Sequence, residues 1–121
     1  MSVDKINLTD KFSAFSDRWS PKVLAELNGQ HVKLVKILGD FVWHHHENED
    51  ELFLVHRGRF TMEFRDRVVP LGPGDLIVIP RGVEHRPTAT EECEILLFEP
   101  VGTLNTGNVV SEQTRRELNH I

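Results

Sequence analysis

Apolar residues fall in many short runs separated by turn-forming residues, the pattern of an all-β sandwich or barrel. Residues 22–27 read as a first strand. Asn28-Gly29 follows, and both positions tolerate positive φ, so a two-residue hairpin is expected. The return strand, 31–38, carries Val32, Leu34, Val35, Ile37 and Leu38. Gly39-Asp40 then breaks or bulges the chain, and 41–46 reads as the next strand. Glu47-Asn48-Glu49-Asp50 makes an acidic turn, 51–56 runs back, and Arg57-Gly58 turns again. In 60–64, Phe60, Met62 and Phe64 alternate with polar neighbours, the period of a half-buried strand. Residues 68–71 form a short strand in which Pro70 marks an edge or a bulge. After Gly72-Pro73-Gly74-Asp75, the run Leu76-Ile77-Val78-Ile79 is continuously apolar, so it is expected to be buried on both faces or covered. Pro80-Arg81-Gly82 turns once more, 83–87 leads to an acidic loop at Glu91-Glu92, and 95–98 is the last strong strand.

Helical patterns are confined to the two ends. Residues 9–17 set Phe12 and Phe15 on one face behind a Thr9 cap, and Pro21 ends that segment. The polar stretch 111–119 reads as a second short helix. About eight or nine short strands need a closed or double-sheet arrangement, which removes exposed edges. A length of 121 residues fits one domain, with the barrel core over about 22–100.

A net charge of −5 argues against nucleic acid as a partner, because phosphate binding needs clustered Lys and Arg. Short basic groups such as Arg57/Arg59 and Arg65/Arg67 read as solvated strand ends and turns. The single cysteine, Cys93, excludes an internal disulfide and fits a reduced, cytoplasmic setting. It sits between Glu92 and Glu94, whose charge works against a thiolate, so it reads as an ordinary strand residue. The apolar runs are too short to span a membrane. The N-terminus has no basic region followed by an apolar one, and residues 1–5 look like a native start.

Candidate chemistry gathers around four residues. His44 and His46 are two apart, so in a strand both imidazoles face one side while His45 faces the other. Glu51 follows across a four-residue turn, and a hairpin there would put it opposite His46, with Cβ atoms about 5 Å apart. His85 arrives from the turn at Pro80-Arg81-Gly82. Three imidazoles and one carboxylate suit a single divalent transition metal of the iron, manganese, nickel, copper or zinc group, and not calcium.

The pattern His44-x-His46-x4-Glu51-x6-Gly58, followed by Gly74-x5-Pro80-x-Gly82-x2-His85, resembles the two signature motifs of the cupin superfamily. The match runs from about Gly39 to Arg86, and the strand pattern extends it to about Phe98. The likeness is to the small, single-domain "conserved barrel" cupins. It departs in two places. Gly39 stands five residues before His44, where the family usually has six, and Ala89 stands where Asn is frequent. The resemblance implies a double-stranded β-helix, or jelly-roll barrel, with the metal inside on His44, His46, Glu51 and His85. It also implies a homodimer.

The alternation sets further expectations. Val42, Phe53, Val55, Phe60, Met62 and Phe64 should line the interior around the metal. Phe41 and Trp43 should face outward and need cover. Either a second subunit or the N-terminal segment, with Phe12, Phe15 and Trp19, would supply it. An apolar pocket with a metal at its base is also what a small-molecule site looks like. The reading is therefore a metal-dependent enzyme acting on a small organic molecule, dioxygenase- or isomerase-like. A binding or sensor barrel and a purely structural metal site are the alternatives. Arg81 is the one candidate for a phosphate contact near the pocket mouth.

Overall fold

The computed structural model describes residues 3–121; Met1 and Ser2, which open the expected native start, lie outside the described residues. One five-residue helix, α1 (Leu8–Phe12), precedes eight strands: β1 (Lys22–Leu27), β2 (Gln30–Asp40), β3 (Glu51–Arg57), β4 (Phe60–Glu63), β5 (Val68–Leu71), β6 (Leu76–Ile79), β7 (Arg86–Pro100) and β8 (Asn119–His120). The strands pair in the order β5-β4-β7-β2-β1-β8, and β3 pairs with both β7 and β6. The architecture is the expected all-β jelly roll.

Local chemistry explains much of this. Asn28 and Gly29 take φ of 50° and 75°, the left-handed pair that a tight β1–β2 hairpin requires. Gly58 ends β3 at φ 85°, and a Cβ there would stand 2.6 Å from the Glu92 carbonyl oxygen, so strand crowding also demands glycine. β7 runs longer than expected. It passes through Thr90, Glu91 and Glu92, which bulge out where Ile37 pairs with Cys93 and Gly39 with Ala89.

Alternation sorts the side chains. Val35, Ile37, Phe53, Val55, Phe60, Met62, Ile79, Ile95 and Leu97 form one buried core. Cys93 joins them, its thiol pushed up to about 12 by burial and then by Glu91 and Glu94. β6 is not buried on both faces. Ile79 is buried and Ile77 packs against the core, but Leu76 and Val78 point outward at 58% and 51% exposure.

The ends differ most from expectation. The helix begins one residue early because the Asn7 side chain, not Thr9, caps it by accepting from the Asp10 amide (2.9 Å). It stops at Phe12, and the Ser13 hydroxyl bonds back to the Thr9 carbonyl. Residues 111–119 are not helical. Side chains take over their backbone groups: Thr114 Oγ1 accepts from the Ser111 amide, Ser111 Oγ from Gln113, and Asn105 Oδ1 from Arg115. The chain then ends as β8, parallel to β1.

Candidate metal centre

Residues 41–46 are extended but do not form a ladder strand. They run antiparallel to 82–87, joined by one isolated bridge between His44 and His85. Four backbone bonds hold the two segments together: Phe41 N to Pro87 O (3.1 Å), His44 N to His85 O (3.1 Å), His85 N to His44 O (2.9 Å) and Gly82 N to His46 O (2.7 Å). Glu51 pairs with Ile79 across β3 and β6, so His46 does not meet it through a hairpin. The turn at 47–50 brings the two side chains together instead, with His46 Nε2 3.5 Å from Glu51 Oε1.

His44, His46, Glu51 and His85 are all buried, and each offers one ligand atom within 4.8 Å of the others. Ligands on opposite sides of one ion, with bonds of about 2.0–2.2 Å, lie up to about 4.4 Å apart, so the set needs to draw in by at most a few tenths of an ångström to hold a single ion. The orientation of the rings fits that use. Nδ1 of His44 donates to the Val42 carbonyl and Nδ1 of His85 to the Val83 carbonyl, each at 2.9 Å, which leaves Nε2 as the inward lone pair. Nε2 of His46, Nε2 of His85 and Oε1 of Glu51 are buried without a hydrogen-bond partner among the described residues. Buried polar atoms left unpaired cost on the order of 1–3 kcal/mol each. Their convergence on one point is what a bound cation would relieve.

Electrostatics agree. Burial, and then the charge of His85, pushes the His44 imidazole down to about 4, so it is neutral and able to ligate at ordinary pH. Burial opposes ionisation of Glu51, but the His46 and His85 imidazoles that face it, each 3.5 Å from Oε1, outweigh it and hold the carboxyl well below the usual range. His45 is outside the cluster, its Nε2 2.5 Å from Glu47 Oε1.

Sequence reasoning missed Glu99. It lies beside Glu51 in the barrel interior, and burial, followed by the Glu51 charge, pushes its carboxyl well above the usual range. Lys33 Nζ stands 3.5 Å from it, and both side chains are almost fully buried. The signal was available: Lys33 and Glu99 share strand parity with the core residues Val35 and Leu97.

A cavity with about 40 Å³ of free space adjoins the cluster, and His44 and Glu51 form part of its wall. Of the six residues expected to line it, Phe53 does. Val55, Phe60 and Met62 are buried in the core beyond it, while Val42 and Phe64 are half-buried and outside its wall. Phe41 was expected to face outward and instead faces in. It is buried, meets the His44 ring edge-on at 5.3 Å, and is covered by Trp19 stacked at 4.7 Å. Trp43 stays near the surface beneath Arg65 and Arg86. Phe12 and Phe15 do not cover either aromatic: Phe12 stacks on His56, and Phe15 lies beneath Lys22 and Lys36. Val35, Ile37, Ile95, Leu97 and Pro87 complete the apolar wall, with Asn105 from the segment after β7. Arg81 pairs with Asp50 at the surface and does not line the cavity.

The same segment seals the site. Asn108 N donates to the His45 carbonyl and Asn108 Oδ1 accepts from the His45 amide. Gly107 sits against this pair at φ 56°, and a Cβ there would overlap the His45 carbonyl oxygen and stand 3.1 Å from the His44 ring.

The sequence profile of the cupin domain family matches residues 32–99, just over half of the chain, including all four residues of the cluster. The chain belongs to the cupin family. A cupin-2 domain protein from Shewanella frigidimarina, known as a crystal structure, is 52% identical, with a TM-score of 0.78 over 78% of this chain and 93% of its own. An uncharacterized Bacillus subtilis protein, YdbB, is 38% identical over 64 residues, which is 52% of this cupin. An acireductone dioxygenase from Bacillus licheniformis is 33% identical over 104 residues, 77% of this cupin. The cupin spans 57% and 58% of the lengths of these two curated relatives. No helix among its described residues is long and apolar enough to cross a membrane.

Proposed function

We propose that this cupin is a metal-dependent enzyme acting on a small organic molecule, with dioxygenase- or isomerase-like chemistry. The observation that carries the reading is that His44 and Glu51 belong both to the four-residue cluster and to the wall of a cavity. A structural site is closed by its ligands and serves no cavity. In this reading His44, His46, Glu51 and His85 hold one divalent transition ion, of iron, manganese, nickel, copper or zinc. Bound there, it supplies Lewis acidity and open positions for substrate or O2.

The chain's own residues define the rest of the ligand. The Val42 and Val83 carbonyls fix the imidazoles. Trp19, Phe41 and Phe53 give the cavity an aromatic wall. Its other polar atoms are already engaged: the Trp19 indole N–H donates to the Leu38 carbonyl, and the Asn105 amide bonds Gln113 and Arg115. Recognition therefore rests on the metal at one end and apolar contact elsewhere, which fits a very small, largely apolar compound with one metal-ligating group. The likeness to an acireductone dioxygenase supports oxygen chemistry over isomerisation.

Four protein ligands are also what a structural zinc site has. The two readings separate on nitric oxide binding to untagged protein loaded with Fe(II), followed by electron paramagnetic resonance. The enzyme reading expects about one adduct per bound iron. Iron held without any adduct contradicts it and leaves the structural site. A sensor barrel would give the adduct but no turnover of any bound compound.

The partner proposed beside the small molecule is a second copy of the chain. Trp19 covers Phe41, so those aromatics no longer argue for it. The outward face of β6 does. Leu76 and Val78 are exposed and sit across from Leu54 and Leu52, which neighbour Leu96 and Phe98 on β7. An isologous contact would hide this apolar strip against itself. A cytoplasmic setting is proposed from the lone, buried Cys93.

A further inference from the structure

A second cavity lies on the other side of the buried Lys33–Glu99 pair. The inward row of β2 divides between the two: Val35 and Ile37 line the space at the metal cluster, and His31 and Lys33 line the other. The segment after β7 forms the opposite wall with Thr103, Arg115, Arg116 and His120. The space is about 230 Å³, against about 40 Å³ at the metal cluster.

Its chemistry is opposite to that of the first. The first wall is apolar apart from His44, Glu51 and Asn105; this one gathers a lysine, two arginines and two histidines, with no carboxylate among its lining residues. That is notable in a chain of net charge −5. The acids that face it from behind are few. Glu99 stands 3.5 Å from Lys33, and the exposed Glu26 stands 3.3 Å from His31 Nε2. Neither arginine has a carboxylate partner among the described residues. Arg115 Nη1 donates to the carbonyls of Glu112 and Thr114, which anchors its guanidinium without neutralising it. Nδ1 of His31, a residue 8% exposed, is buried with no hydrogen-bond partner among the described residues. Converging donors with a free buried nitrogen, in a space large enough for a small molecule, form an oxyanion receptor.

We propose that this cavity binds a small, multiply charged oxyanion, a phosphate-bearing or polycarboxylate compound, with Arg115 and Arg116 at its mouth and His31 and Lys33 at its base. The site shares no residue with the metal cluster and stands whether or not the protein is an enzyme. Binding also ties the chain end to β2, because the C-terminal wall carries both arginines.

The test is calorimetric titration of the full-length protein with inorganic phosphate and, separately, with succinate. The same titrations are run on Arg115→Gln/Arg116→Gln, Arg116→Gln alone and His85→Ala. Saturable binding of either anion is expected, weakened at least tenfold in the double variant and unchanged in His85→Ala. The anion that binds identifies which oxyanion class the site takes. Arg116 is exposed, so Arg116→Gln keeps the test valid if Arg115→Gln disturbs the chain end, and it should weaken binding severalfold. Histidine side-chain NMR should show His31 and His120 shifting with the titration. No saturable binding of either anion, binding untouched by the arginine variants, or binding lost in His85→Ala would overturn the proposal.

Discussion

The metal cluster and the segments that cover it obey different rules. The cluster is held by backbone: the paired runs 41–46 and 82–87, and strand β3. Its cover is held by a few isolated contacts, backbone and side-chain, from both ends of the chain, Trp19 before β1 and residues 105–108 after β7. The first region is written in local spacing. The second exists only once distant parts of the chain have met. Ligand geometry should therefore survive changes in the cover, while access and stability should not.

The largest expected effect on stability comes from the cover. Gly107→Ala puts a methyl group into the His45 carbonyl at a left-handed φ, and should cost about 3 kcal/mol. Urea denaturation of the metal-free protein measures it. A cost below about 1 kcal/mol would mean that the segment gives way easily and does not seal the site.

Acid sharpens the other side of the comparison. The unfolded His44 takes a proton near 6.5 and the folded one only near 4. Between these values the unfolded state binds more protons, so its contribution to stability is complete above 6.5 and is lost as pH falls toward 4. That difference corresponds to about 3 kcal/mol at most, and a loss of about 2 kcal/mol is expected. Denaturant midpoints at pH 7, 5.5 and 4.5 should fall more in the metal-free wild type than in His44→Gln. Equal slopes would remove His44 as the cause.

Trp19→Ala removes the stack on Phe41 and the bond to the Leu38 carbonyl. About 1–2 kcal/mol of stability should go with it, less than a fully buried tryptophan loses. Metal affinity should hold, and the open cavity should accept larger apolar probes. A large loss of affinity would show that cover and cluster are one unit. The smallest effect is expected at Arg65→Ala, which uncovers Trp43 but leaves the cavity alone; under about 1 kcal/mol is expected for an exposed cation–π contact.

These contrasts track what the sequence could reveal. β1, β5 and β6 occupy the residues their patterns predict, because period-two alternation and turn glycines are local facts. His44, His46, Glu51 and His85 were legible from motif spacing, and they converge. Phe41 was misplaced because parity assumes a ladder strand, and 41–46 makes only one bridge, leaving Phe41 free to turn inward under Trp19. Residues 111–119 contain good helix formers, yet Asn105, Ser111 and Thr114 claim their backbone groups. Leu76 and Val78 read as buried because an apolar run does not say whether its outer face meets protein or solvent. Lys33 and Glu99 were hidden by the habit of placing charge outside.

The most direct test of the central claim is metal content and affinity of untagged protein, wild type against His85→Ala and His45→Ala, with circular dichroism to verify folding. About one equivalent of a divalent transition metal is expected in wild type and in His45→Ala. His85→Ala should remain folded and bind at least ~100-fold more weakly, beyond the 10–100-fold typical of losing an outer-shell contact. A folded wild type that takes up no metal, or equal loss in the two variants, would contradict it.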